Sequence, residues 1–352
     1  MRAGPGPARK RQQRIVTFSV LLMVLLSVLL IILDWKEVKQ IVHKANFQFT
    51  LVALFFTLVS YICLSFSYVV VNRAFGIQLK LRTLLAVGFV SSALNNILAF
   101  MGAAGHSLRL VLVKREGIST AEILAASLFH SYINNIMMFF LLPISLLWLV
   151  LGRLVSGGAA VSLAFTAGVL FFFVGIATAI VFISRLRAAI SRIIGALWYL
   201  VTRRRIGALL DEFDTAMKEG VVALRGRQFT LAFLLMVGDW VCAVVTLWFC
   251  FAALGGTPAW GIMLAGFGFG ISAGNVSMIP GGLGIQEASM AGVFAGLGTS
   301  FAQAVLAAIL FRVVYDFIPF FVSLAFYRRL IRGRNGAEEM PEKEGKGREG
   351  GY

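Results

Sequence analysis

Six long runs of apolar residues divide the chain, and short polar segments separate them. An α-helix rises about 1.5 Å per residue, so about 20 apolar residues cross the ~30 Å hydrocarbon core of a bilayer. Each run reaches about that length and predicts a membrane-spanning helix. The runs are Ile15–Leu33, Phe47–Val71, Thr120–Leu151, Ala159–Ile183, Phe229–Leu254 and Phe301–Tyr327.

An alternative for Ile15–Leu33 is the apolar core of a cleavable signal peptide. Such cores are usually shorter, and no small-residue cleavage site follows, because the next residues are Asp34, Trp35 and Lys36. An uncleaved first span is therefore the preferred interpretation.

Two further apolar segments are interrupted by glycine. Thr83–Phe100 leads into Met101-Gly-Ala-Ala-Gly-His106, and Ser107–Val113 is too short to cross the bilayer. Residues 83–115 therefore predict a re-entrant hairpin that enters and leaves on one side. The alternative is one full span that ends near Gly105.

The second interrupted segment, 257–297, has two apolar arms around Ser277–Glu287. The break contains Pro280, Gly281, Gly282 and Gly284. A broken helix exposes backbone groups that lipid cannot satisfy, so such breaks occur where protein or a wet cavity surrounds them. This segment also predicts a re-entrant hairpin, and the break predicts a functional site.

Composition supports the class that the hydropathy pattern indicates. The 352 residues are 59% hydrophobic and 14% charged, whereas soluble domains are about 45–50% apolar and about 25% charged. We therefore expect an all-α polytopic membrane protein with no nucleic-acid partner, despite the net charge of +16. The three cysteines lie in apolar runs without metal-ligand spacing, so no metal and no cofactor are expected.

Lysine and arginine are concentrated in segments that the model of six spans and two hairpins places on one side. By the positive-inside rule that side is the cytoplasm, so both termini are expected there, in a plasma (inner) membrane protein. One transmembrane domain is expected over 15–330, and 331–352 are expected to be disordered. The basic segments are 1–14, 73–82, 114–115, 184–227 and 328–352. Within 184–227, Ile190–Val201 has an apolar face flanked by arginine, which favours a helix in the headgroup layer.

A short internal similarity relates the two halves of the chain. Leu124-Ala-Ala-Ser-Leu-Phe-His130 matches Leu306-Ala-Ala-Ile-Leu-Phe-Arg312, and a glycine-interrupted segment precedes each run. The repeats are about 47–151 and about 228–330, and the predicted topology orients them oppositely. Inverted repeats with broken helices near the midplane are typical of transporters.

The break Ile279-Pro-Gly-Gly-Leu-Gly-Ile-Gln-Glu287, with Arg312 about 25 residues later, resembles the signature of the flippase-like transmembrane family. This is the transmembrane region of lysylphosphatidylglycerol synthases, which also occurs as stand-alone proteins. Ala103-Ala-Gly-His-Ser-Leu-Arg109 is similar to a weaker first-half element of that family. The resemblance covers residues 15–330 and implies lipid translocation.

This chain departs from the family pattern at two positions. His106 stands where glutamate is usual, and His130 stands where arginine is usual, with Asn134-Asn135 near the expected aspartate. A mechanism that needs a first-half carboxylate is therefore doubtful here. The synthases' soluble acyltransferase-like domain is not expected in this chain.

The candidate substrate-binding residues have simpler structural explanations as well. Glu287 could cap a helix or pair with Arg312; Arg312 could bind phosphate or form a structural ion pair with Glu287 or Asp316. Arg109 could snorkel to the interface, and a buried histidine often only bonds backbone. The candidates are Pro280, Gly281, Gly282, Gly284, Glu287, Arg312, Asp316 and Asn275 in the second half, and His106, Arg109 and His130 in the first.

The expected function is movement of a phospholipid or other headgroup-bearing lipid between leaflets, with anionic headgroups as partners. The alternatives are a lipid-modifying transferase, of the lysylphosphatidylglycerol synthase type or a glycosyl transferase, and a membrane subunit that serves a separate enzyme through 184–227. A homo-oligomer is also compatible with the sequence. No nucleotide-binding loop, metal-acid motif or nucleophilic triad is recognisable, so the enzyme alternative is the less favoured one.

Overall fold

Every regular element in the described part of the chain is helical. The computed structural model describes residues 35–98, 103–114, 116–151, 157–203, 206–277 and 279–338. The predicted all-α fold is confirmed, while the predicted first span, Ile15–Leu33, and the basic segment 1–14 lie outside the described residues. The helices are α1 (Trp35–His43), α2 (Gln48–Ala74), α3 (Leu81–Leu98), α4 (Ala103–Lys114), α5 (Thr120–Leu151), α6 (Gly157–Phe182), α7 (Ser184–Thr202), α8 (Gly207–Ala223), α9 (Arg227–Ala253), α10 (Trp260–Val276), α11 (Ile285–Gly296), α12 (Phe301–Arg312) and α13 (Ile318–Glu338).

Three stretches of the described chain are long and apolar enough to cross a bilayer as single helices. They are Gln48–Ala74, Arg227–Ala253 and Phe301–Leu330. A fourth candidate arises if Phe171–Phe182 and Ser184–Thr202, which meet at 94°, form one broken span. The total of six spans remains a prediction.

The corresponding first helices of the two repeats, α2 and α9, pack against each other in opposite directions. Thr246 donates to the carbonyl of Ala53 near one end of the contact, and Cys63 lies against Gly238 near the other. As α2 is followed forward, its neighbours in α9 therefore run backward. This antiparallel pairing is the arrangement that an inverted repeat requires.

Each half also forms one helical hairpin, α3–α4 in the first and α10–α11 in the second. A Cβ on Gly105 would lie 2.9 Å from the Ser91 carbonyl oxygen, so α4 packs tightly along α3. Gly270 similarly faces Met290 and the Gln286 carbonyl across the second hairpin. The arm α3 packs against α13, and α10 packs against α5, so each hairpin rests on the last helix of the opposite half.

The chain between the two halves bends sharply at the end of α6. After the 94° bend, α7 exposes many large apolar side chains, and α8 packs on α5. Arg187 of α7 forms an ion pair with Asp214 of α8 and so joins these two helices. It also donates to the Val181 carbonyl at 2.6 Å. The placement of α7 in the headgroup layer remains a prediction.

The chain after α12 contains a π-helical segment, Val313–Phe317, immediately before α13. Pro319 has no N–H, so it cannot bond the carbonyl four residues earlier, that of Tyr315. The Tyr61 hydroxyl donates to this carbonyl instead, at 3.1 Å. The helix then continues to Glu338. Residues 339–352 lie outside the described chain, and the disorder expected for 331–352 stays a prediction.

Candidate functional site

The break in the second hairpin is built from glycines in left-handed backbone conformations. Gly281, Gly282 and Gly284 have φ of 64°, 61° and 82°. Residues other than glycine adopt such angles only at a cost in conformational energy. Pro280–Gly282 forms one 3₁₀ turn, and α11 begins immediately after Gly284. The chain can therefore reverse direction here within a few residues.

The break of the second hairpin contacts the end of α3 in the first hairpin. A Cβ on Gly281 would lie 2.7 Å from the carbonyl oxygen of Ile97 and 2.9 Å from that of Asn96. Both carbonyls belong to the last turn of α3, which directly precedes the glycine-interrupted stretch of the first hairpin. Glycine is thus required at position 281 both by its φ and by this close approach.

A buried ionic cluster centred on Arg312 lies beside this junction, and each guanidinium nitrogen of Arg312 donates a hydrogen bond. Its Nε donates to Glu287 Oε1 at 2.5 Å, and its Nη1 donates to Asp316 Oδ2 at 2.7 Å. Its Nη2 donates to the Gly281 carbonyl at 2.5 Å. The three residues are 3–6% exposed. The predicted Glu287–Arg312–Asp316 set is therefore one network, and its arginine also holds the broken backbone.

Glu287 serves the break in a second way. Its Oε2 accepts a hydrogen bond from the Gly284 N–H at 2.7 Å, in the first turn of α11. A carboxylate is also favoured there by the partial positive charge of a helix N-terminus. Capping and ion pairing, which are alternatives on the sequence alone, are thus both present.

The network extends to side chains that the candidate set does not include. Asp239 of α9 accepts hydrogen bonds from Ser60 and from the Tyr315 hydroxyl, the latter at 3.3 Å. Asn96 donates to the Tyr61 hydroxyl at 3.0 Å. From the sequence, Asp239 is recognisable only as a buried acid that needs partners, and isolated hydroxyls in apolar runs give no periodic signal.

Charge in this cluster is unbalanced. Two carboxyl groups, of Glu287 and Asp316, share one described arginine, Arg312, and the buried carboxyl of Asp239 bonds only hydroxyls among the described residues. Since burial of uncompensated charge is costly, the cluster favours a further cation over a further anion.

The first-half candidates form a separate group around Arg109. Arg109 is 5% exposed, so it does not snorkel; its Nε donates to Ser91 Oγ at 2.9 Å, and its guanidinium lies 4.5 Å from the Tyr68 ring centroid. His130 Nε2 is 2.9 Å from Ser67 Oγ, and His106 Nε2 is 3.3 Å from Ser131 Oγ. The histidines thus bond side-chain hydroxyls.

The remaining candidates have lesser roles in this conformation. Asn275 is exposed in the last turn of α10, and Pro280 contributes its backbone to the 3₁₀ turn. Asn134 accepts from the Trp240 indole at 2.9 Å, which ties α5 to α9. Among the described residues, no group of three or more His, Cys, Asp or Glu side chains is arranged to hold a metal ion.

The chain is similar over most of its length to known membrane proteins. The model of the lysylphosphatidylglycerol synthase TM region matches residues 16–323. The chain is 26% identical to the inner membrane protein YbhN of Escherichia coli over 345 residues, which cover 94% of this chain and 98% of that protein. It is 28% identical to a UPF0104 membrane protein of Methanothermobacter thermautotrophicus over 116 residues, which cover only 32% of this chain and 31% of that protein. Because the family match extends over most of its length, the chain belongs to the family of the lysylphosphatidylglycerol synthase transmembrane region.

Proposed function

We propose that this protein moves a phospholipid or another headgroup-bearing lipid between the leaflets of the plasma membrane. The observation that carries the proposal is the contact of Gly281 with the Asn96 and Ile97 carbonyls, beside a buried ionic cluster. Broken helices at membrane depth line substrate paths in many transporters. Ionisable residues held there by a protein interior usually serve the transported species.

The cluster supplies a mechanism for opening the path. All three donor nitrogens of Arg312 hold acceptors, so the described conformation is closed at this arginine. Removing one partner from a buried ion pair costs about 3–5 kcal/mol. A headgroup that offers replacement partners lowers this cost, so opening is coupled to the presence of lipid.

The position of the arginine explains how opening reaches the backbone. Arg312 Nη2 holds the Gly281 carbonyl, and Gly281 is the residue that touches the first hairpin. Loss of this hydrogen bond frees the contact between the two hairpins. Exchange of partners at Arg312 therefore separates the hairpins at the point where they close the interior.

A second candidate function is the membrane component of a lipid-modifying transferase. It is favoured by the family description, which refers to a synthase. In that case the protein holds lipid for a separate enzyme at the 184–227 segment, where α7 exposes Leu197, Trp198 and Leu200. Under both candidate functions, anionic lipid headgroups are the partners and both termini lie in the cytoplasm.

Lipid analysis of cells that lack this protein separates the two. Transport predicts that the affected lipid is present in normal amount but confined to one leaflet, as read by a membrane-impermeant headgroup reagent. A transferase component predicts that a lipid species is missing. Re-expression of wild type should restore the outer-leaflet signal, whereas Arg312→Ala and Glu287→Ala should not; Arg225→Ala, an exposed arginine, is the matched control. Full restoration by both cluster variants would contradict the proposed site.

A further inference from the structure

Arg109 is a buried cation without a counterion among the described residues. Its contacts are the Ser91 hydroxyl and the face of the Tyr68 ring, and no described group hydrogen-bonds its Nη1. A cation–π contact offsets only part of the cost of burying a guanidinium. The first hairpin therefore carries positive charge that its own side chains do not neutralise.

Other buried polar atoms without a described partner lie on side chains of the same group. The Tyr68 hydroxyl and Ser127 Oγ are two, and both side chains are essentially unexposed. Tyr68 packs against Arg109 and, edge to face at 5.4 Å, against His130. Ser127 precedes His130 by three residues on α5 and so shares its helical face.

Two more such atoms lie on the two helices of the first hairpin, α3 and α4. His106 Nδ1 and Asn95 Oδ1 also lack a described partner. His106 is one helical turn before Arg109 on α4, and the Asn95 side chain lies 3.2 Å from the Cβ position of Gly105. Native proteins seldom leave several buried polar groups of one neighbourhood unsatisfied.

The chemistry of this set is that of an anion site. A guanidinium edge, two hydroxyls and an imidazole can all donate hydrogen bonds, and a phosphate group offers several acceptor oxygens. Water could satisfy the hydroxyls but could not neutralise the arginine. The titratable side chains that face this group from α2, α4 and α5 are Tyr68, His106, Arg109 and His130, and none is acidic.

The two buried arginines, Arg312 and Arg109, differ in whether they already have acidic partners. Arg312 is held by two carboxylates and a carbonyl, whereas Arg109 Nη1 meets neither. We propose that the group formed by Tyr68, His106, Arg109 and Ser127 binds a phosphate group, either that of a lipid headgroup or free phosphate. The lipid source rests on the proposed function; the binding of phosphate does not.

Binding of radiolabelled inorganic phosphate to the purified full-length protein in detergent tests the site directly, with ionic strength kept constant by chloride. Wild type should bind saturably. Arg109→Gln should weaken binding about tenfold or more, since a charge-assisted contact is lost. Tyr68→Phe and Ser127→Ala should each weaken it about threefold by loss of one neutral hydrogen bond. Tyr132→Phe is the control, because the Tyr132 hydroxyl bonds Thr178 at 2.9 Å, outside this group.

A structural role for these hydroxyls is distinguished by stability without phosphate. No described group hydrogen-bonds Ser127 Oγ, so Ser127→Ala should leave the melting temperature of the phosphate-free protein unchanged while lowering phosphate affinity. Phosphate should raise the melting temperature of wild type by mass action. Equal phosphate binding by wild type and Arg109→Gln would overturn the proposal, as would protection by chloride alone to the same degree.

Mass spectrometry of lipid retained after purification identifies the source. If Arg109→Gln loses phospholipid but retains a phosphate-free glycolipid, the ligand is the headgroup phosphate. If phosphate binding depends on Arg109 but lipid retention does not, the site takes free phosphate. Neither arm measures transfer between leaflets, so failure of wild type to move lipid would refute the proposed function and leave this result intact.

Discussion

Replacement of Arg312 by methionine removes the only described cation of the second-half cluster while keeping the unbranched apolar stem of the side chain. Glu287 and Asp316 are then buried together without their partner, at 6% and 3% exposure. The Gly281 carbonyl also loses its donor. Repulsion between the two acids and lost contact with the break should both destabilise the fold.

The size of the effect follows from this burial. Loss of one partner from a buried ion pair costs about 3–5 kcal/mol, so we expect Arg312→Met to lower the free energy of unfolding by about 4 kcal/mol. Adding Glu287→Gln and Asp316→Asn removes the stranded charges. The glutamine side chain introduced by Glu287→Gln keeps an oxygen that can accept from the Gly284 N–H, so the triple variant should regain about half of the loss.

Equilibrium denaturation in mixed detergent micelles measures these differences, with the same denaturant dependence expected for each variant. Arg187→Met is the matched control. Its partner Asp214 is 28% exposed and can be hydrated when the arginine is removed, so about 1 kcal/mol is expected there. A cost below about 1 kcal/mol for Arg312→Met, or a triple variant no more stable than the single one, would refute the assignment of a buried, mutually dependent cluster.

Three further predictions concern the junction and the topology. Gly281→Ala should abolish leaflet transfer and destabilise more than Gly298→Ala, which has a similarly positive φ but no atom within 4 Å of the new Cβ; melting temperature and transfer rate compare them. Tyr61→Phe removes the hydroxyl that donates to the Tyr315 carbonyl in the π-helical segment and should lower the free energy of unfolding by about 1–3 kcal/mol, as measured by denaturation. In a cysteine-free background, a single cysteine at Arg225 should react with impermeant maleimide only from the cytoplasmic side, and one at Thr257 only from outside.

Much of the helical framework could be predicted from hydropathy alone. Apolar runs such as Phe47–Val71 and Phe229–Leu254 correspond to α2 and α9 within a few residues. The glycine break was also predictable, because a proline followed closely by three glycines strongly disfavours a continuous helix. The pairing of Glu287 with Arg312 was one of the predicted alternatives, because charged residues are few in the apolar runs and a buried charge needs an opposite charge nearby.

The rest of the site depends on contacts between distant parts of the chain. Ser60 and Asp239 are separated by 179 residues, and Tyr61 and Tyr315 by 254. Periodicity reports only which face of a helix is apolar, so it cannot identify which hydroxyl meets which acid. The burial of Arg109 could not be predicted either. Its position near the end of a helix suggests a side chain at the membrane interface, and periodicity does not identify the partners that bury it.

The central claim is that the meeting hairpins and their ionic cluster transfer lipid. Its most direct test is the rate of leaflet exchange of a headgroup-bearing, acyl-labelled phospholipid in proteoliposomes, measured by an impermeant quencher. Wild type should exchange the lipid faster than protein-free vesicles, and Arg312→Ala and Glu287→Ala should exchange it at the protein-free rate despite correct insertion. Exchange by wild type no faster than in protein-free vesicles, or equal exchange by wild type and both variants, would contradict it.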